Sequence, residues 1–365
     1  MHARTRRSAG ALALVTAVGA LGAVTTVSPA SAQRAPSATV VARGLDGPFG
    51  LKAIGRSAFV VAENVSGQVT RVGPNGGKRV LFSGAAGVAG VAASRHHVYA
   101  VLGGGDETGP PPAAKYPASS VLQSDPAGHH VRVIADLARY ELRHNPDGQR
   151  QFDANGNPYD ALSNPFSMTL TRYGLLVADG GANDVLRVNP RTGHVSTFFV
   201  PPTVKDVRAC LKPGAQANAG TVGCDPVPTG IAVANGSVYV STLGAEVPNA
   251  GRVYKLDPRT GRVQHVWKRL TAPTGIAVGH HHGAIYLSEV LFGAPAAAPP
   301  PNFDPSTVGR LTRIWNGRRT HSQVTMPTGL VLKRGRLFAS AWSIASFLGI
   351  EHAGQIVRVN LRSFH

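Results

Sequence analysis

Acidic side chains are scarce in this 365-residue chain: 19 Asp and Glu stand against 37 Lys and Arg, a formal net charge of +18. Charged residues of both signs make up only 15%, which argues against long solvated helices and against a highly charged disordered chain. Cysteine occurs twice, at Cys210 and Cys224. That excludes a disulfide-dense scaffold, and the spacing is too wide for a C-x-x-C metal or redox pair. Aromatic residues are 6% and no dense Arg/Lys run occurs, which disfavours nucleic acid as a partner despite the basic balance. Nothing after the N-terminal apolar stretch is long and apolar enough to span a bilayer as a helix. The G-x-S-x-G elbow, H-E-x-x-H and the P-loop are missing too. Gly103-Gly104-Gly105 follows an apolar run but opens into prolines instead of a helix.

Glycine is abundant, with 43 residues, as is proline, with 27. Many short elements separated by turns are expected, and a helical bundle is not. The N-terminus reads as a secretory signal over residues 1–32. Arg4, Arg6 and Arg7 form a positive region, Ala9 to Val27 is uncharged and apolar, and Ala30-Ser31-Ala32 offers a cleavage site before Gln33. Residues 33–365 are then one exported domain, secreted or associated with the cell envelope. In an oxidising compartment Cys210 and Cys224 are expected to form a disulfide that pins a loop. Removing the signal leaves 34 basic residues against 19 acidic, or +15. For an exported protein that charge favours anionic envelope polymers, acidic glycans or phospholipid head groups.

Internal repetition is the strongest pattern in the chain. Pro228-Thr229-Gly230-Ile231-Ala232-Val233 recurs as Pro273-Thr274-Gly275-Ile276-Ala277-Val278 and as Pro327-Thr328-Gly329-Leu330-Val331-Leu332. Looser copies begin at Pro48, Val88 and Pro165. Each copy leads into a second apolar run, such as Val238 to Ser241. A third run of the form Val-x-Arg/Lys-Val/Leu comes next, followed by a tight turn such as Asp257-Pro258-Arg259-Thr260-Gly261, and a fourth run closes the unit. Proline sets φ in that turn and glycine takes the positive φ. Four antiparallel strands repeated six times describe an all-β, six-bladed β-propeller. After Gly354 to Asn360 the last copy ends without a fourth strand, while Ala38 to Ala42 form an orphan strand before the first copy. Pairing the two closes the ring and hides two edges.

These repeats resemble NHL-type propellers. With Ala135-Asp136-Leu137-Ala138-Arg139-Tyr140-Glu141 and Asn145-Pro146-Asp147-Gly148, the pattern is similar to the exported ScyD/ScyE-type family, named after genes beside the scytonemin pigment cluster. The resemblance covers nearly all of 33–365. It implies a propeller fold and export, and no settled biochemical activity.

In a four-stranded meander the a–b and c–d turns share one face, and the b–c and d–a connections share the other. The long segments (103–119, 137–164, 199–227, 243–251, 290–309 and 343–354) all belong to the second set, so they are expected to crowd one face. Function usually resides on such loops over a rigid scaffold. They are rich in Pro, Ala and Gly and read as stiff spacers, apart from the apolar Trp342 to Ile350, which can wall a site or simply pack. Glu63, Asp179 and Glu289 each follow a second strand and reach the loop face, with Asn64 and Trp342 beside them. Asp106, Glu107 and Glu246 lie further into loops. A carboxylate ring of Glu63, Asp179 and Glu289 could hold Ca²⁺, which takes six to eight oxygens. The bland alternative is that each carboxylate neutralises an arginine or caps a turn. Gluconolactonase-like and regucalcin-like propellers use a Pro-Asn-Gly segment and a later Asp for their metal. Asp179 resembles the later Asp, but Thr229, Thr274 and Thr328 stand where Asn is needed. His96-His97, His129-His130 and His280-His281-His282 fall in a–b and c–d turns, where adjacent histidines cannot aim at one ion.

The expected function is therefore an exported binding propeller. It would recognise an extracellular small molecule, a peptide or an anionic envelope polymer on its long-loop face, with protein partners a further option. The alternative is a Ca²⁺-type metal-dependent hydrolase, lactonase or lyase acting at the channel mouth.

Overall fold

The computed structural model describes residues 36–365 apart from 105–113, 160, 213–217, 280–282 and 296–298. Twenty-four strands form six four-stranded antiparallel sheets. The chain enters on β1 (Ala38–Leu45). Blade 1 follows as β2 (Pro48–Ile54), β3 (Ala58–Glu63), β4 (Gln68–Val72) and β5 (Lys78–Phe82). Blade 2 is β6 (Val88–Ala93), β7 (Val98–Leu102), β8 (Ser120–Ser124) and β9 (Arg132–Asp136). Blade 3 is β10 (Pro165–Thr171), β11 (Gly174–Asp179), β12 (Asp184–Val188) and β13 (Val195–Phe199). Blade 4 is β14 (Pro228–Ala234), β15 (Ser237–Thr242), β16 (Gly251–Leu256) and β17 (Val263–Leu270). Blade 5 is β18 (Ile276–Val278), β19 (Ile285–Glu289), β20 (Arg310–Trp315) and β21 (Arg318–Ser322). Blade 6 takes β22 (Leu330–Lys333), β23 (Arg336–Ala341) and β24 (Gly354–Val359) from the C-terminus and β1 from the N-terminus. The register runs Ala38↔Val359 to Leu45↔Gly354, so the orphan strand closes the ring as expected.

The innermost strands β2, β6, β10, β14, β18 and β22 each touch the next around a closed circle. Each main hydrophobic cluster draws on two neighbouring blades. Val60, Val69 and Phe82 of blade 1 pack with Val91, Ala100 and Leu122 of blade 2, and Leu176 and Val185 of blade 3 pack with Ile231 and Val240 of blade 4. A blade is thus buried on both faces. That is why β3, β7 and β19 read as continuous apolar runs and are buried along their whole length.

The Pro-Thr-Gly repeat does its work between blades. Thr229 Oγ1 donates to Pro273 O at 2.8 Å, Thr274 Oγ1 to Pro327 O at 3.4 Å, and Thr328 Oγ1 to Pro48 O at 3.0 Å. Each threonine is buried and ties one blade to the proline that opens the next. The glycine that follows leaves room for that approach. A Cβ on Gly230 would lie 2.8 Å from Thr274 O, and one on Gly329 would lie 2.5 Å from Phe49 O.

The segment 137–164, expected as a stiff loop, begins with a helix, α1 (Leu137–His144). Asp136 caps its N-terminus by accepting from Arg139 N–H, and Asn145 ends it in the left-handed region at φ 39°, just before Pro146. Among the described residues, no helix is long and apolar enough to cross a membrane.

Candidate functional site

The b–c and d–a connections lie at one end of the strands, and the expected site residues fall on that face. Glu63, Asp179 and Glu289 hold equivalent places, each at the end of the second strand of its blade. Each lies opposite the first residue of the third strand: Gln68, Asp184 and Arg310. They do not form the expected ring. Glu63 Oε2 accepts from Asp46 N–H at 2.7 Å. Asp179 accepts from Ser163 Oγ at 2.6 Å, Asn164 N–H at 2.7 Å and Ala182 N–H at 3.2 Å. Glu289 pairs with Arg310, whose guanidinium lies over the Phe292 ring. Each carboxylate is satisfied inside its own neighbourhood. Among the described residues, no group of three or more His, Cys, Asp or Glu is placed to hold a metal ion. With the threonines committed to blade contacts as well, these residues do not fit the Ca²⁺ site that the positions of the three carboxylates suggested. Asp106, Glu107 and His280 to His282 lie outside the described residues.

Of the expected residues, Trp342 lines a cavity of about 440 Å³ between blades 6 and 1, whereas Glu63 and Asn64 do not. Its apolar side is built from Val65, Trp342 and Ile350, and its polar side from Ser66, Asp46 and His352. Glu63 fixes Asp46 through the backbone bond just described. Asn64 N–H donates to Gly47 O at 2.8 Å, and its side chain donates to Val88 O at 3.3 Å. Both residues therefore hold the wall in place without lining it. Trp342 sits at φ 55° with its N–H donated to Thr325 O. A bulky side chain rarely adopts that left-handed backbone, and such outliers concentrate at functional sites. His352 Nδ1 meets Asp46 Oδ1, leaving Nε2 as the imidazole's other polar atom. Ser66 Oγ is buried without a hydrogen-bond partner. An apolar wall with a few convergent polar groups, at this volume, has the make-up of a small-molecule site.

A second polar region lies on the same face, above blade 3. Glu141 of α1, Asp147, Asp184 and Asp225 are held close together with Asp179. Gln149 Nε2 donates to Asp225 at 2.7 Å, Asn183 Nδ2 donates to Asp147 at 3.2 Å, and Gln151 Nε2 donates to Glu141 at 3.3 Å. Burial, with Asp147 nearby, pushes the Glu141 carboxyl up to about 8, and burial pushes Asp225 up to about 6. Burial raises Asp147 and Asp179 as well. Asp184 is raised far above the ordinary carboxylate range by burial and by the charges of Asp179, Glu141 and Asp147. No Lys, Arg or His contributes to any of these five shifts. Glu141 Oε2 and both oxygens of Asp184 are buried without a partner. Raised to about 8, the Glu141 carboxyl keeps its proton near neutral pH and can donate a hydrogen bond. Glu141 and Asp147 were visible in the sequence only inside the two family-like motifs, and neither carried a signal of burial.

The expected disulfide is present. Cys210 and Cys224, both buried, join the segment after blade 3 to the strand-like bridge Val204↔Cys224.

No protein-family model matches the chain, and no curated protein matches it. Solved structures do, and they are similar in fold. A protein of unknown function from Bacteroides thetaiotaomicron is 13% identical with a TM-score of 0.54, covering 89% of this chain and 73% of the other. A gluconolactonase from Xanthomonas campestris is 11% identical at a TM-score of 0.50, covering 88% of each chain. A putative oxidoreductase (glucose dehydrogenase) from Thermus thermophilus is 15% identical at 0.50, covering 88% of this chain and 99% of the other. These neighbours are six-bladed propellers of the NHL and SMP-30-like kind.

Proposed function

We propose that this protein is an exported propeller of the ScyD/ScyE type that binds a small extracellular molecule in the cavity between blades 6 and 1. The observation that carries this reading is the cavity itself. It lies on the face that holds all the long connections, is walled by Trp342, and has the Asp46–His352 pair on its polar side. Its volume of about 440 Å³ suits a compact ligand of one or two rings, well below the size of a polymer segment. Aromatic anchors such as Trp342 supply most of the contact energy in sites of this kind.

The test is a fragment panel followed by Trp fluorescence in a Trp267→Phe, Trp315→Phe background, where Trp342 is the sole reporter. The expected result is a set of saturable ligands whose binding is lost in Trp342→Ala. If no fragment perturbs Trp342 saturably, the cavity is not a binding site.

A second reading, hydrolase or lyase, is favoured by one detail: the imidazole of His352 is oriented by a carboxylate, as a general base requires. A lactone panel follows naturally from the gluconolactonase among the neighbours. Turnover abolished in His352→Ala with fragment binding retained would establish this second reading. Binding without turnover in the wild type would leave the first.

A further inference from the structure

The opposite face, formed by the a–b and c–d turns, has a different electrostatic character, and no residue on it belongs to the cavity or to the buried acids. Every blade places an exposed arginine there. Arg56, Arg95 and Arg334 lie in the a–b turns of blades 1, 2 and 6. Arg191 and Arg262 lie in the c–d turns of blades 3 and 4, and Arg318 follows the c–d turn of blade 5. Among the described residues, the only acids on this face are Asp125 and Asp257. Both begin a c–d turn, and both have Oδ1 occupied by backbone N–H groups: Ala127 and His129 for Asp125, Arg259 and Thr260 for Asp257. The ion pairs formed by Arg252, Lys268, Arg310 and His352 with Asp206, Glu289 and Asp46 all lie at the loop end of the strands. Among the described residues, none of the six arginines forms one. The scarce acids are thus gathered on the loop face, and the excess of bases is left on the turn face.

We infer that the turn face is a docking surface for an acidic polysaccharide, a chain whose carboxylate or sulfate groups recur along its length. The sequence alone points anionic polymers to the loop face; the charge places them on the other side. Guanidinium groups bind such oxyanions through paired N–H donors. Six arginines spread over a whole face match repeated charges better than a single head group. Insertion into a bilayer needs an apolar wedge beside the bases. The exposed apolar side chains closest to this face, Val133, Val233, Val263 and Trp315, come from blades 2, 4 and 5, whereas the arginines come from all six. Lys333 Nζ donates to Ile54 O and Ala58 O, so the a–b turns of blades 6 and 1 are rigidly joined, and Arg334 and Arg56 belong to one continuous patch.

Binding of polygalacturonate to the signal-free protein, followed by biolayer interferometry, tests the assignment. The wild type is expected to bind in low salt and to weaken about tenfold or more between ~50 and ~300 mM NaCl, as screening shortens the reach of each charge. Reversing three turn-face charges, in Arg56→Glu, Arg95→Glu, Arg334→Glu, is expected to weaken binding about tenfold or more at low salt. The same charge change on the loop face, in Arg143→Glu, Arg208→Glu, Lys212→Glu, is expected to leave it within about twofold. Should the reversal variant fail to fold, the Gln triple at the same turn positions reads the same effect at smaller size. Equal losses in the two triples would overturn the face assignment. Tighter binding to phosphatidylglycerol vesicles or to duplex DNA than to the glycan would overturn the ligand class, and no binding at low salt would overturn the proposal.

Discussion

Replacing Gly275 by Ala tests the account of how the blades are held together. Gly275 is not at a positive φ, so its role is not conformational freedom. A Cβ there would lie 1.9 Å from Thr328 O, 2.7 Å from Ser288 Oγ and 3.0 Å from the Thr328 carbonyl carbon. Two of those atoms are backbone of the next blade, which cannot rotate away as a side chain can. The methyl also collides with the seryl oxygen that accepts from Gly275 N–H at 2.7 Å and donates to Thr328 O at 2.6 Å. Overpacking of this kind costs ~1–3 kcal/mol and sometimes more. Disrupting a buried hydrogen bond adds ~1–3 kcal/mol, so a total of about 3–5 kcal/mol is expected. Gly77→Ala is the control, because nothing lies within 4 Å of a Cβ there and φ is not positive. It should fall within ~0.5 kcal/mol of wild type. Urea unfolding followed by fluorescence and far-UV circular dichroism gives both values. A Gly275→Ala midpoint indistinguishable from that of Gly77→Ala would refute the claim that the Pro-Thr-Gly repeat is a blade-to-blade contact.

Four further outcomes follow from the site and its surroundings. Glu141 is raised in the folded protein, so the folded state binds more protons than the unfolded state between the ordinary carboxylate range and pH ~8. Stability should therefore fall as pH rises through that window, and Glu141→Gln should flatten the slope by on the order of 1.4 kcal/mol per pH unit; an unchanged slope in urea titrations from pH 5 to 8 would contradict the raised carboxyl. Arg310→Met strands the buried Glu289 and should destabilise by ~3–5 kcal/mol, whereas Arg310→Met with Glu289→Leu should recover most of it. Reducing Cys210–Cys224 should cost ~3 kcal/mol for a loop of this length, read as a drop in melting temperature with dithiothreitol that Cys210→Ser, Cys224→Ser no longer shows. Thr328→Val, which removes a buried hydroxyl bonded to Pro48 O and Ser340, should cost ~1–3 kcal/mol; an equally stable variant would mean that ring closure does not depend on this bond.

Much of the fold was legible because a propeller writes its architecture into the sequence several times. Continuous apolar runs marked strands buried on both faces, and Asp-Pro-Arg-Thr-Gly-like turns marked the c–d hairpins. The unmatched strand at each terminus made ring closure a matter of counting. α1 was less legible: Leu137 to His144 carries buried Leu137 and Glu141 among polar residues, a pattern too short to separate from a loop without its caps.

The site was legible as to face but not as to grouping, and the reason is geometric. Residues in equivalent positions of different blades, such as Glu63, Asp179 and Glu289, look like a set because the repeat aligns them, yet symmetry about an axis separates them. Each is answered by its own neighbour: a backbone amide, a serine and two amides, or an arginine. Residues that do meet come from non-equivalent positions. Trp342 is in a b–c loop, Asp46 in the d–a connection into blade 1, and Val65 in the turn after β3. Likewise Glu141 reaches Asp184 and Asp147 only because the long insertion after β9 folds back over blade 3. The threonines make the same point from the other side. Beside a family with Asn in that position they look like missing ligands, whereas their hydroxyls are spent on the carbonyls of the next blade. In a repeat protein, what recurs is therefore the scaffold, and Trp342, His352 and the buried acids, which do not recur, are where ligand chemistry should be sought.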